Sequence, residues 1–278
     1  MKTYVYLLAL TALILAGAVG TVMLRLQKVQ EKIMELTVSG GFWARMEKFE
    51  FYENGSIIYR DLTRNIKNST SIPNSTLMEL IGRMKLLLEA YPEGLKLEPM
   101  GGADYFTYNL SIYSNGRTTT YYWTDVSEEQ PEELSYLASL LHGMNSFAAG
   151  YWKIVFYLKT EKLAFNKGET LKMFAVAINP SRSDFQYASP TPCYPDFRVQ
   201  LRTPSGETVE LFPVGYDPKK PCIQVVQNRT LKPGDTIQLE YNYTFSEEGT
   251  YVVEAYFPYA EWSATRYVSM LMITVHRF

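Results

Sequence analysis

Few residues in this chain could do chemistry. Its 278 residues include two histidines, His142 and His276, and two cysteines, Cys193 and Cys222. A zinc site draws about four ligands from His, Cys and carboxylates, and a nucleophilic triad needs a base beside its serine or cysteine. Neither histidine stands near a cysteine in sequence, and no HExxH, GxSxG or GxxxxGK[ST] motif occurs. Glu128, Glu129, Glu132 and Glu133 are dense enough to tempt an acid/base or cation-site reading. They fall where a helix starts, however, and the helix dipole favours negative charge there. Gly101-Gly102 before Asp104 reads as a turn ahead of a strand, and His142 as a dipole partner at a helix end. The expectation is no catalytic, cofactor-binding or metal-ligating residue and no enzymatic activity. The alternative, an enzyme using paired carboxylates, would need a polar cleft holding two facing carboxylates.

Residues that bind are easier to find than residues that react. Tyr occurs 22 times. Tyr121, Tyr122 and Trp123 share one strand-like run, where aromatics are common anyway. Tyr256, Phe257, Tyr259 and Trp262 surround a loop marked by Pro258, where an apolar side chain has no automatic core role. Asn54-Gly55 is a second loop candidate. The partner-binding candidates are therefore Asn54, Gly55, Tyr259 and Trp262. A net charge of −2 argues against nucleic acid as a partner.

The N-terminus and the asparagines indicate where such binding would take place. Tyr4 to Leu24 carries no charge. At about 1.5 Å per helical residue it reaches roughly 30 Å, the thickness of a bilayer's hydrocarbon core. It reads as a signal-anchor; the competing reading is a signal peptide cleaved after Ala16-Gly17-Ala18. Lys2 on one side and Arg25, Lys28 and Lys32 on the other would place the bulk of the chain in the cytoplasm by charge counting. Against that stand six Asn-x-Ser/Thr sequons, at Asn54, Asn68, Asn74, Asn109, Asn228 and Asn242. Roughly one or two would arise by chance, so the excess points to a glycosylated, extracytoplasmic chain. Cys193 and Cys222 lie in two Pro-rich loops and suit a disulfide. Closing a loop of about 30 residues would stabilise by roughly 3–4 kcal/mol.

Elements follow from periodicity. Leu26, Val29, Ile33 and Leu36 recur at spacings of three and four, predicting that the spanning helix continues as an amphipathic stalk, through which a homodimer could form. Residues 1–39 are thus anchor and stalk. Phe49 and Phe51, the Asn54-Gly55 turn and Ile57 to Tyr59 predict a hairpin. A helix follows Pro73, with Leu77, Leu80, Ile81, Met84, Leu87, Leu88 and Tyr91 on one face, Thr76 and Glu79 as a capping box and Pro92 as its stop. Strands Tyr105 to Tyr113 and Thr118 to Thr124 flank Ser114-Asn115-Gly116. A second helix is predicted from Ser127, with Leu134, Leu137, Ala138 and Leu141 buried and Gly143 as C-cap. This makes a small α+β domain, an antiparallel sheet with two helices, over 40–147. From 151 to 278 strands recur at short intervals, with turns at Pro204-Ser205-Gly206 and Pro233-Gly234, and predict an immunoglobulin-like β-sandwich.

Two resemblances rest on these residues. Gly102-Ala103-Asp104, the aromatic strand Tyr105 to Tyr108, the Gly116-Arg117 turn, the strand ending at Asp125 and the helix opened by Pro131 resemble emfourin, a small inhibitor of thermolysin-like metalloproteases. The preceding helix ending at Tyr91-Pro92 matches as well. The resemblance implies a Gly-rich SGGF-type loop inside the first strand pair. With the first pair taken as the Asn54-Gly55 hairpin, that loop is replaced by Glu53-Asn54-Gly55-Ser56, and Ser39-Gly40-Gly41-Phe42 lies upstream, beside the stalk. The second domain is similar to the BsuPI-type intracellular proteinase inhibitor domain. The matching residues are Asn166-Lys167-Gly168-Glu169, Ile178-Asn179, Phe197-Arg198-Val199 before Ser205-Gly206, Leu231 to Asp235, and Glu248-Gly249-Thr250-Tyr251. Turns of the last two kinds occur in many sandwiches, whatever their function. The expectation is a single-pass membrane protein with both domains outside the cell, binding a protease as inhibitor or regulator. The alternative is a structural or glycan-contacting envelope module.

Overall fold

The computed structural model describes residues 30–41, 44–101, 104–127, 130–264 and 266–277. The predicted anchor, Tyr4 to Leu24, lies outside the described residues, as do Leu26 and Val29 of the predicted stalk. No helix among the described residues is long and apolar enough to cross a membrane.

In chain order the first elements are β1 (Lys32–Gly40), β2 (Arg45–Tyr52), β3 (Ser56–Asp61), β4 (Ile66–Ser71), α1 (Asn74–Ala90), β5 (Leu95–Lys96), β6 (Phe106–Ser114), β7 (Arg117–Thr124) and α2 (Glu132–Ala148). The strands form one sheet in the order β4-β3-β2-β1-β6-β7-β5. β1 therefore lies inside the sheet, antiparallel to β2 on one side and to β6 on the other. This overturns the helical stalk over Lys32 to Leu36. Met34 and Leu36 are buried at 0% and 1% exposure, two residues apart, which is a strand's period. A short apolar run satisfies both periods, and only the two flanking strands decide between them. Leu36 is consequently part of the core and cannot form a stalk seam between two chains.

The predicted β2–β3 hairpin is present, paired from Glu47 with Asp61 to Phe51 with Ile57. β6 and β7 meet through Asn115 and Gly116, both at positive φ (51° and 72°), which matches the primed two-residue turn. Both helices end or begin differently from expectation. α1 starts at Asn74 without a side-chain cap. Thr76 is fully buried within the helix and makes no cap, while Glu79 binds Arg83 and Lys159, so no capping box forms. α2 starts after Pro131, because the Ser127 hydroxyl accepts the Thr124 N–H and takes no part in the helix. It also runs past Gly143 to Ala148. Gly143 is not a C-cap: a Cβ there would come within 2.3 Å of the Phe156 carbonyl oxygen, so the glycine lets the helix approach the next strand closely.

The remaining strands are β8 (Val155–Thr160), β9 (Ala164–Asn166), β10 (Thr170–Ile178), β11 (Phe185–Ser189), β12 (Arg198–Arg202), β13 (Thr208–Leu211), β14 (Gln227–Leu231), β15 (Thr236–Thr244), β16 (Gly249–Phe257) and β17 (Tyr267–His276). β15-β10-β8 and β13-β12-β16-β17-β9 are the two sheets of a β-sandwich, and β11-β14 is a separate ribbon. The sheets share a core rich in rings, among them Phe156, Phe197, Phe257, Tyr241 and Tyr251. Cys193 and Cys222 form the expected disulfide, with Cα atoms 6.0 Å apart.

β8 and β10 are buried on both faces. Phe156, Leu158, Ala175 and Ala177 belong to the sandwich core, whereas Val155, Tyr157, Val176 and Ile178 belong to the core under α1 and α2. Polar contacts reinforce this layer: Arg83 donates to the Thr160 carbonyl (2.6 Å) and lies 3.7 Å above the Tyr136 ring, whose hydroxyl donates to Glu79. Lys32–Phe278 accordingly forms one compact unit.

Candidate functional site

The sequence-derived loop candidates sit on different sheets. Asn54 and Gly55 make the β2–β3 turn. The Asn54 side chain accepts the Ser56 N–H at 3.0 Å, and the Gly55 carbonyl accepts the Ile72 N–H at 2.9 Å. Gly55 (φ 80°) is buried against Ile72, whose carbonyl oxygen would be 2.8 Å from a Cβ, so of this pair Asn54 alone faces solvent. Tyr259 and Trp262 follow β16, after a cis Phe257-Pro258 bond. The Tyr259 N–H donates to the Asp196 carbonyl (2.7 Å), its hydroxyl to Glu210 (3.1 Å), and its ring lies 5.0 Å from that of Tyr194. Burial and the nearby Glu210 charge push the Tyr259 phenol up to about 12. Ala260 is buried and Glu261 pairs with Arg198. Tyr259 to Glu261 are thus held in place immediately before Trp262, which is 58% exposed. A large aromatic fixed in solvent by a rigid loop is the usual form of a binding anchor.

The other sequence candidates are spread out. Tyr121 and Trp123 are core residues, and the Tyr121 hydroxyl donates to the Tyr91 carbonyl. Phe257 is fully buried. His142 lies in the interior of α2, not at its end, with its ring edge-on to Trp152 at 5.4 Å. His276 is at the end of β17. Glu132 accepts the Leu163 N–H, and Glu128 and Glu129 lie outside the described residues. Among the described residues no group of His, Cys, Asp and Glu could hold a metal ion.

A cleft of about 420 Å³ between α2 and the seven-stranded sheet was not anticipated. Pairing register places Glu47, Val38, Tyr108 and Trp123 in one row across β2, β1, β6 and β7. A second row runs from Arg45 through Gly40 to Phe106, and a Cβ on Gly40 would strike the Tyr105 carbonyl at 2.3 Å, so that position has no side chain. From α2, Ala138, Leu141, His142, Asn145 and Ser146 face the same cleft. Glu47 is 3% exposed, and one of its oxygens accepts from Arg45 (2.6 Å), Tyr59 (2.7 Å) and Tyr151 (2.7 Å). Asp125 accepts the Phe106 N–H at 2.9 Å. The signal was present in the sequence: Arg45 and Glu47 have the same parity as the core residues Phe49 and Phe51, so charged groups occupy inward positions.

The sequence matches no family model and no curated protein. Among solved structures it is similar to β-glucosidase EmGH1 of Erythrobacter marinus, with 14% identity over 44% of this chain and 16% of that one and a TM-score of 0.26. It is also similar to the CARDB domain of the PF1109 protein of Pyrococcus furiosus, with 13% identity over 44% and 87% of the two chains and a TM-score of 0.27. A β-glucosidase of Listeria innocua gives 17% identity over 44% and 16%, with a TM-score of 0.26. At such scores these likenesses carry no argument about function.

Proposed function

We propose that this protein is a membrane-tethered, extracytoplasmic binding protein that acts by contact and not by catalysis, with a protease as the partner to test first. The observation that carries this reading is the position of Ser39-Gly40-Gly41. Because β1 is a strand, the first strand pair is β1–β2, and this segment leads out of β1 towards β2. The emfourin resemblance expects a Gly-rich loop inside the first strand pair, and the position of this segment supports that reading. Trp262 offers a second, independent contact point on the BsuPI-like, immunoglobulin-like sandwich.

Compartment is supported separately. All six sequon asparagines are exposed, whereas Asn179, disqualified as a sequon by Pro180, is fully buried and donates to the Ser183 and Leu231 carbonyls. The disulfide fits an oxidising compartment. The uncharged Tyr4 to Leu24 segment supplies the tether.

The test is inhibition. The full chain, oxidised at Cys193 and Cys222, is titrated against a thermolysin-like zinc metalloprotease and against a subtilisin-like serine protease. Saturable inhibition without cleavage is expected for the metalloprotease. A folded, intact chain that inhibits neither would sink the inhibitor reading. A structural or glycan-contacting role would then take its place, with Trp262 as the sugar-stacking residue.

A further inference from the structure

The geometry points to the cleft beneath α2 as a binding site for a small organic cation, an amine carried on an aromatic or apolar body. This proposal does not require protease binding: neither Asn54 nor Trp262 lines the cleft, although its Arg45 and Phe106 edge flanks Gly40.

Size and walls define the body of the ligand. A volume of about 420 Å³ falls within the range of small-molecule pockets. Phe106, Tyr108, Trp123 and Leu141 line it, and the Tyr108 and Trp123 rings stack at 5.1 Å and 8°. Two stacked rings present a rigid wall whose π-electrons attract a cation.

The polar groups define its head. The Asn145 side-chain oxygen is buried and has no hydrogen-bond partner. A buried acceptor of this kind requires a donor. Asp125 and Glu47 add two carboxylates to the same lining, against one guanidinium, Arg45. All three donors to Glu47 end on one oxygen, Oε1. Desolvation holds the His142 imidazole below its ordinary value. Among its described residues the cleft therefore sets two carboxylates against one guanidinium, with an unpartnered acceptor beside aromatic walls. An ammonium group satisfies all three features; a carboxylate satisfies none, and a neutral alcohol only the acceptor.

The test uses the full chain and three probes of one shape: 2-phenylethylamine, 2-phenylethanol and phenylacetate, titrated by ligand-observed NMR. Saturable binding of the amine is expected, at least tenfold tighter than that of the alcohol, with none for the acid. Asn145→Leu and Asp125→Asn should each weaken amine binding tenfold or more, and Asn145→Asp should strengthen it. Trp262→Ala should leave it unchanged. Thermal melts identify any variant that fails to fold, and Asn145→Asp, which keeps the shape of the side chain, then decides. Equal binding of amine and alcohol, absence of saturable amine binding, or wild-type affinity in folded Asn145 and Asp125 variants would overturn the proposal.

Discussion

Phe197, just before β12, and Val199 and Leu201 on it point inward, as do Tyr251, Val253, Ala255 and Phe257 on β16, all fully buried. On β2 the corresponding series begins with Arg45 and Glu47 before it reaches Phe49 and Phe51. These two strands of the sandwich thus spend their inward positions on packing, whereas the α2-covered sheet gives up part of its core to polar groups and an open cleft. Buried polar groups cost stability unless they are paired. Where a fold tolerates them and leaves space beside them, binding is a better explanation than packing. The sandwich also supports its neighbour: β8 and β10 are buried on both faces and serve as the floor under α1 and α2.

The contrast can be broken most severely at β1. A chain starting at residue 41 lacks the strand between β2 and β6 and should not fold, while one starting at Gln30 should give a cooperative melt. Equal melts for the two would show that β1 does not hold the sheet together. Packing comes next. Phe257→Ala should cost about 3–5 kcal/mol, as large-to-small changes in tight cores do. Val38→Ala, on the cleft wall, should cost less than about 1 kcal/mol, since little buried methyl surface is lost. Urea titrations of both would erase the contrast if the two costs were similar.

Replacing Cys193 and Cys222 with serine should remove roughly 3–4 kcal/mol from a closed loop of about 30 residues. The loss would be read as a lower urea midpoint under oxidising conditions. An unchanged midpoint would mean that the Pro-rich loops are held by other contacts.

Gly143→Ala tests the joint between the two regions. The added methyl meets the Phe156 backbone, and overpacking of this kind costs about 1–3 kcal/mol. If α2 and β8 can separate without loss, the melt will not move.

The smallest effect is electrostatic. Burial alone would raise the Glu35 carboxyl, but hydrogen bonds from Lys32 and Lys48 outweigh it and hold the group below its ordinary value. A folded-state value below the unfolded one means stability that is present above the unfolded value and lost as pH falls through the folded one. Glu35→Gln should therefore lower stability at neutral pH and flatten its acid limb, so that the wild-type and variant curves converge at low pH. A parallel acid limb in wild type and variant would refute the assignment.

How far the sequence reading succeeded depended on how local the deciding contacts were. The Asn115-Gly116 turn, the apolar stripes of α1 and α2, the alternation in β12 and the Cys193–Cys222 pair were all legible, because each depends on neighbours in sequence or on backbone geometry that few residues permit. β4, written IKNSTS, was missed because an exposed edge strand has no apolar face to betray it. The short strand β9 and the ribbon strand β11 lack a long enough period to be recognised. Gly143 looked like a helix stop, since a glycine placed for close packing and one placed for a positive φ are the same letter.

The sequence by itself determined the scarcity of histidine and cysteine, the strand-rich second half, the two helices and the six sequons. These are properties of composition and of short-range pattern. Tertiary structure alone decided that Lys32–Gly40 is a strand within the sheet, that β8 and β10 serve two cores, and that Arg45, Glu47, Asp125 and Asn145 line one cleft. Those residues are up to a hundred positions apart, and only strand register and the docking of α2 bring them together.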